Sequence, residues 1–496
     1  MTIPFKNIPG NLRVPLFYAE LDNSRANTNA SPQRALLIGQ KTAAGTLAAN
    51  VPVICQSTFD GRAAAGSGSI LSGMIDAYRE GDPNGEMWVL PLSDDAAGAQ
   101  AAGSIEFFGA TTAPGSVPLY IGGRYLPVPI PTGQTLAQVA TAVAAAINAA
   151  IGLPVTAAVD GTSAGKVNIT ARNKGECGND IDLRIAYRGV TAGEVMPTTI
   201  TYIVTPMTGG TTNPALATAL SNLNDTGFDF IVCSLTDAAS LAAIATLLND
   251  ANGRWSWLSQ TYGHCWVAKR GTAGTNATFA TTLNNQHITN IAFNDSPTPP
   301  WKWAAAFAGA AAVSIRADPG VPLQNLAVPG VLPPPLASQF PLSIRNNTLL
   351  YGGCATWRVE NGRVMMENMV TTYVTNASSA PDDSYLEVET LFLSVYVLRQ
   401  LRAVVSDKYS RVKLAANGTR LLPGSNTVTP NIIRADLIAK YREMEGNGFV
   451  QKAEEFAAGL VVEQNAGNAN RIDVLFPATL VGQLRAFAVL FQFRLT

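Results

Sequence analysis

The sequence predicts a mixed α/β and α+β multidomain fold. Its parts are an open α/β sandwich, an inserted β-rich domain and a C-terminal α+β domain. Three observations predict it. Short apolar runs alternate with helix-period stretches on both sides of residues 96–206. Between those limits the alternation gives way to strand-length segments separated by Gly, Pro and Asn. Beyond a proline-rich tract come a hairpin pattern, a long helix-period stretch and two alternating apolar segments that run to residue 496.

Residues 1–30 contain a strand-like piece broken by Pro15. Proline removes a ladder donor, so an edge strand or an extended arm is expected there. "QRALLIGQK" (33–41) reads as a buried strand. "SILSGMIDAYREG" turns helical, with Ile70, Met74, Ile75 and Tyr78 on one side, and "EMWVLPL" returns to strand. The same grammar resumes with the strand "FDFIVCSL" and the helix "TDAASLAAIATLLNDANG", capped by Thr236 or Asp237. "GHCWVAKR", "TNATFATTLNN" and "HITNIAF" follow as strand, helix and strand. The α/β domain is therefore expected over 31–95 and 207–317.

The insert, 96–206, reads as the strands "SIEFFG", "PLYIGGRYLPVPI", "PVTAAVD", "KVNITARN", "IDLRIAYRG" and "TTITYIVTP". One helix crosses it, with Leu136, Val139, Val143, Ile147 and Ile151 at helical spacing, a core-packing stripe. A proline-rich linker covers 318–347. The C-terminal domain, 348–484, begins with a hairpin turning at Asn361-Gly362, a tight-turn dipeptide. A long helix starts at Asp382 or Asp383, with Leu386, Leu391, Val395, Leu398, Leu401 and Val405 as its apolar face. A second helical segment spans 429–459. In the last segment, 485–496, Phe487, Val489, Phe491, Phe493 and Leu495 share one face at period two, the pattern of a half-buried strand.

Composition excludes several roles. Only 14% of residues are charged, so much of the surface must be built from Ala, Thr, Asn and Gly, as suits extensive protein–protein contact. Lys plus Arg total 34 against 35 Asp plus Glu, which leaves no cationic footprint for nucleic acid. The longest uncharged apolar stretch (303–315) is too short to span a bilayer, and the N-terminal sequence lacks an apolar core of signal-peptide type. Five widely spaced cysteines make neither a disulfide framework nor a zinc site, and point to synthesis in a reducing, intracellular place.

The inventory for catalysis is close to empty. His264 beside Cys265 invites a Cys/His nucleophile reading, yet neither it nor His287 has an evident orienting group. "GRAAAGSGSILSG" fails the dinucleotide fingerprint at Leu71, and "GTSAGKV" fails the phosphate-loop pattern in spacing and at Val167. No cofactor or metal is expected. A competing α/β enzyme would need a cleft of polar groups at the C-terminal ends of the strands containing Leu36, Trp88, Ile231 and Trp266.

The order of parts carries a resemblance. The arm "NIPGNLRVPLFYAELDNSRA", an interrupted α/β domain and a C-terminal domain ending in strand, "P-x-x-L-V-x-Q" link (477–483) and last strand together resemble the contractile tail sheath proteins of bacteriophages, the Mu-like group above all. The resemblance runs the whole length and is strongest at 3–24 and 348–496. It implies a non-enzymatic virion subunit, assembled in the host cytoplasm into stacked hexameric rings around a tail tube, with baseplate and tail terminator proteins as further partners. It also implies that sheets of the C-terminal domain are completed by strands from neighbours. Leu12, Val14, Leu16 and Tyr18 would form one donated strand, and Phe487, Val489, Phe491, Phe493 and Leu495 the other. Host strands would lie in 355–373 and 472–476. Lys440, Arg442, Glu443 and Lys452 would face the tube, and the insert would face outward. Contraction would drive the tube through the host envelope for genome delivery. Another virion structural protein is the third reading.

Overall fold

Strand Ala35–Gln40 is buried at every position. Its unbroken apolar run requires this, because a parallel strand covered on both faces shows no polar alternation. The computed structural model describes residues 33–422 and 424–495. The strand lies inside a nine-stranded sheet that runs, edge to edge, through Ala327–Val328, Arg363–Asn368, Cys354–Glu360, Ile288–Phe293, His264–Arg270, Phe230–Cys233, Ala35–Gln40, Met87–Leu92 and Val53–Ile54. The six strands from Cys354–Glu360 to Met87–Leu92 are parallel to their neighbours, while the hairpin partner and the two short edge strands are antiparallel.

Helices Ile70–Gly81 and Pro300–Ala317 pack on each other and on this sheet. Ser69 caps the first by accepting from the Ser72 N–H. The second is rich in alanine, and its Gly309 has no room for a side chain: a Cβ there would meet the Tyr78 carbonyl at 2.5 Å. The apolar stretch at 303–315 is thus a core helix built from small residues for close approach. Among the described residues no helix is long and apolar enough to cross a membrane. Asp237, rather than Thr236, caps helix Ala238–Leu247.

Two differences from the sequence reading concern the C-terminal region. The hairpin at 354–368 turns through Asn361 and Gly362 at positive φ, yet it extends the large sheet, pairing Cys354 and Ala355 in parallel with Asn290 and Ile291. The large sheet therefore crosses the boundary expected near 348. The long helix begins at Val388, not Asp382, and its expected apolar face is only half covered. Leu391 and Val395 are buried, while Leu398 and Val405 are exposed.

The insert contains an antiparallel four-stranded sheet, Ile200–Thr208, Gln100–Gly109, Lys166–Lys174 and Val155–Val159, and a three-stranded one, Arg124–Ile130, Gly115–Ile121 and Leu183–Ile185. Its helix, Leu136–Ala149, is held by a capping box between Thr135 and Gln138. Val139, Val143 and Ile147 are buried, whereas Ile151 lies beyond the helix end and is exposed. Apolar packing runs without a break from the insert into the body. Asp94 adds a polar joint, accepting from Gln40, Asn173 and the Lys174 N–H.

Candidate functional site: the C-terminal lobe and its terminal segment

The structure separates the groups that a catalytic reading would need together. His264 is buried, its Nε2 2.8 Å from Thr289 Oγ1. Thr289 donates its own proton to the Val370 carbonyl, so His264 Nε2 is the donor of that bond. Burial, with His287 second, pushes its pKa down to about 3. Cys265 follows it in the strand and so projects to the opposite face, where burial raises its thiol well above the ordinary value. His287 pairs with Asp250 at 2.8 Å. The small-residue stretch before Ile70 is filled by the insert, since Asn173 Oδ1 accepts the Ile70 N–H. "GTSAGKV" is a turn whose Asp160 accepts from the Thr162 and Ser163 amides. The C-terminal ends of the parallel strands are covered as well: the Cys177 thiol donates to the Ser234 carbonyl and Arg270 to the Asp180 carbonyl.

Charge also lines a cleft of about 530 Å³ between the two packed helices and the turn at 122–124, with Arg62, Asp76, Glu80, Arg124 and Lys302 around it. Its charges are of mixed sign, and Arg62 already pairs with Asp76 at 3.4 Å. No cluster of His, Cys, Asp and Glu among the described residues could hold a metal ion.

The unusual surface lies in the C-terminal lobe. Helix Val388–Tyr409 leads out of the body into a second, smaller core of Val397, Val404, Ile433, Leu437, Tyr441, Met444 and Phe456. Tyr441 stacks on Phe456 with ring centroids 3.7 Å apart and donates its hydroxyl to the Gln451 carbonyl. Around this core lie only fragments of sheet. Val461–Gln464 pairs with Ile472–Leu475, and Val450–Gln451 with Thr479–Leu480, each pair standing as a two-stranded sheet. Two strands alone are marginally stable in water, and Val461, Val474 and Leu475 leave apolar surface exposed on the first pair.

The last segment is more open still. Phe487, Val489, Phe491, Phe493 and Leu495 are between 70% and 89% exposed. Among the described residues, nothing pairs with the backbone of 486–495. Sequence reading expected an alternating strand here, donated to a neighbour; within this chain 486–495 forms no strand. Leu12, Val14, Leu16 and Tyr18 lie outside the described residues.

The expected host strands divide. In 355–373, strand Cys354–Glu360 pairs with Arg363–Asn368 on one side and, through Cys354 and Ala355, with Ile288–Phe293 on the other. A parallel neighbour was invisible in the sequence because register contacts are long-range. Among the described residues, Ile472–Leu475 has a neighbour on one side only. Lys440, Arg442, Glu443 and Lys452 are brought together on helix Pro430–Gly446 and the start of helix Ala453–Gly459, in surface ion pairs. Lys440 meets Glu443 at 3.0 Å, Arg442 meets Glu454 at 2.8 Å and Lys452 meets Glu455 at 3.1 Å. Exposed pairs of this kind contribute little to stability.

Sequence reading missed Arg485 and Glu389. Arg485 Nη2 lies 2.8 Å from Glu389 Oε1, and the Glu389 side chain is wholly buried. A carboxylate on the apolar side of a helix start was the available signal.

Comparison with known proteins gives the family. Residues 209–372 match the phage tail sheath protein central domain, and residues 380–494 match the phage tail sheath C-terminal domain. The Mu-like prophage FluMu tail sheath protein of Haemophilus influenzae is 36% identical over 496 residues, covering 99% of this chain and all of the relative. The chain belongs to the phage tail sheath family. It is a structural subunit of a contractile tail, and such subunits are virion components. Among solved structures, sheath tail proteins from Desulfitobacterium hafniense and Listeria innocua are similar at 10% and 13% identity, each with a TM-score of 0.48. The first match covers 95% of this chain and 97% of the other, and the second 91% and 92%. A chain of the anti-feeding prophage baseplate is similar at 11% identity, TM-score 0.47, over 98% of this sheath subunit and all of that chain.

Proposed function

We propose that this sheath subunit polymerises by strand exchange, with residues 486–495 as a strand donated to the C-terminal lobe of a neighbour. The single observation that carries the reading is a segment of alternating apolar residues, exposed and unpaired among the described residues, in a chain whose lobe sheets there have two strands each. Strand addition to a free edge supplies backbone bonds for affinity and side-chain alternation for register. Ile472–Leu475 is the favoured host, since it has one neighbour among the described residues, whereas Cys354–Glu360 pairs along one side and at its first two residues on the other. Leu12, Val14, Leu16 and Tyr18 would supply the second strand.

Burying the five side chains stabilises the exchange by roughly 7–15 kcal/mol. Ordering ten residues costs roughly 10–20 kcal/mol. A single exchange is near balance, whereas links in a lattice become effectively intramolecular and reinforce one another. A head-to-tail contact that does not close gives a helical assembly. The reading therefore includes stacked hexameric rings around a tail tube, bounded by baseplate and tail terminator proteins and built in the host cytoplasm. The α/β body would act as an open sandwich, the insert (96–206) would face outward, and Lys440, Arg442, Glu443 and Lys452 would face the tube. Contraction would be a switch between two packings of the same linked subunits, driving the tube through the host envelope and needing no nucleotide. Deleting 487–496 tests the reading: the expected outcome is a folded subunit with an unchanged circular dichroism spectrum and no tubes by electron microscopy. Normal tubes from the truncated chain would overturn it.

A further inference from the structure

We infer that Arg485 and Glu389 are positioning residues that clamp the root of the terminal segment, so that its free length begins at Ala486. Four contacts converge on this root. Arg485 Nη2 donates to Glu389 Oε1 at 2.8 Å, and Arg485 Nε lies 3.3 Å from Glu387 Oε1. The same Glu389 oxygen accepts the Leu323 N–H, and Gln324 Nε2 donates to the Leu484 carbonyl at 3.2 Å. One buried carboxylate thereby joins three pieces of chain: the first turn of helix Val388–Tyr409, residues 323–324 after the body's last long helix, and the last fixed residue before the open segment. The helix N-terminus favours a carboxylate at that place.

The contrast along the chain is abrupt. Arg485 has a side chain 17% exposed, and from Ala486 onward every described residue is exposed. A guanidinium suits the place, because its planar fork can address two carboxylates at once, as a lysine cannot. Breaking one partner leaves the buried charge of the other uncompensated, so the clamp holds or fails as a unit. Its use, setting the direction in which the strand leaves the subunit, rests on the strand-donation reading; its existence does not.

Trypsin reads the clamp directly, because Arg485–Ala486 is a cleavable bond. In the soluble full-length subunit, cleavage there is expected to be at least about tenfold slower than in a synthetic peptide of residues 479–496, with mass spectrometry following loss of 486–496. Glu389→Gln should raise the rate toward that of the peptide, and Glu387→Gln should raise it less. Arg485→Lys keeps a cleavage site and one ion pair, and should fall between wild type and Glu389→Gln. Equal rates in chain and peptide would overturn the inference. So would a Glu389→Gln protein that melts like wild type and is cut no faster. If Glu389→Gln does not fold, the wild-type ratio and Glu387→Gln decide. Failure of the truncated chain to lose assembly would sink strand donation and leave this ratio untouched.

Discussion

Helix Val388–Tyr409 ends in two different environments, and the contrast describes the molecule. At its start Phe392 stacks on Phe230 with ring centroids 5.1 Å apart, beneath the nine-stranded sheet. Toward its end Val397 and Val404 enter the small core around Tyr441, with Tyr396, Leu401 and Tyr409 packed against it, while Leu398 and Val405 stay exposed. The body carries a nine-stranded sheet, whereas among the described residues the lobe carries two-stranded pieces. One region packs around a wide shared sheet, and the other around a second, smaller core.

The largest effect should come from the body. Trp303 is fully buried, stacked 4.5 Å from Phe293, with its indole N–H donating to Ser296 Oγ. Trp303→Ala should cost about 3–5 kcal/mol and lower the main unfolding transition seen by calorimetry. Phe456→Ala removes the stacking partner of Tyr441 and should cost about 3 kcal/mol, expressed as faster hydrogen exchange over 430–464 with the strands of the body unchanged. If that variant loosened Ala35–Gln40 as well, the two regions would be one cooperative unit and the contrast would fail.

The body was legible where the signal is local. The cap at Thr236 or Asp237, the Asn361-Gly362 turn and the buried run at 35–40 follow from residue chemistry within a few positions. Membership of the hairpin at 354–368 in the large sheet was not legible, because the pairing Asn290 to Cys354 joins distant residues and leaves no periodic mark. The terminal segment carries a period-two pattern in the sequence, which reports its side-chain alternation and not a partner. Its anchor was not legible. Glu389 looks like an ordinary acidic residue in a first helical turn until Arg485 arrives from the far end of the sequence.

Charge distinguishes the regions in the same way. In the body, burial would raise the Asp82 carboxyl, but Arg316 at 2.5 Å, with Tyr78 and the Gly85 amide, outweighs it and holds the pKa below the usual carboxylate range. A depressed folded pKa means stability that is present above about pH 4 and lost as pH falls through the folded value. Arg316→Met should flatten that part of the acid-unfolding curve while lowering stability at pH 7 by about 3 kcal/mol. His264, neutral in the core with a pKa near 3, adds a second loss as pH falls below about 6.5. Its NMR resonance should not titrate above pH 5. The lobe's ion pairs at 440–455 are exposed, so Arg442→Ala should change stability by less than about 0.5 kcal/mol.

A small effect sharpens the comparison at a single turn. Gly362 has φ of 73° and empty space where a Cβ would stand, so Gly362→Ala meets backbone strain and nothing else. The expected cost is about 1 kcal/mol, read as a small shift of the body transition. Gly353 has nearly the same φ, 72°, but a Cβ there would meet the Thr372 backbone at 3.0 Å. Gly353→Ala should therefore cost more than Gly362→Ala, by the steric term alone. Both glycines serve the hairpin that extends the nine-stranded sheet, so both changes belong to the body. Equal costs at the two sites would mean that the packing around Gly353 yields easily, and that this end of the body is as loose as the lobe.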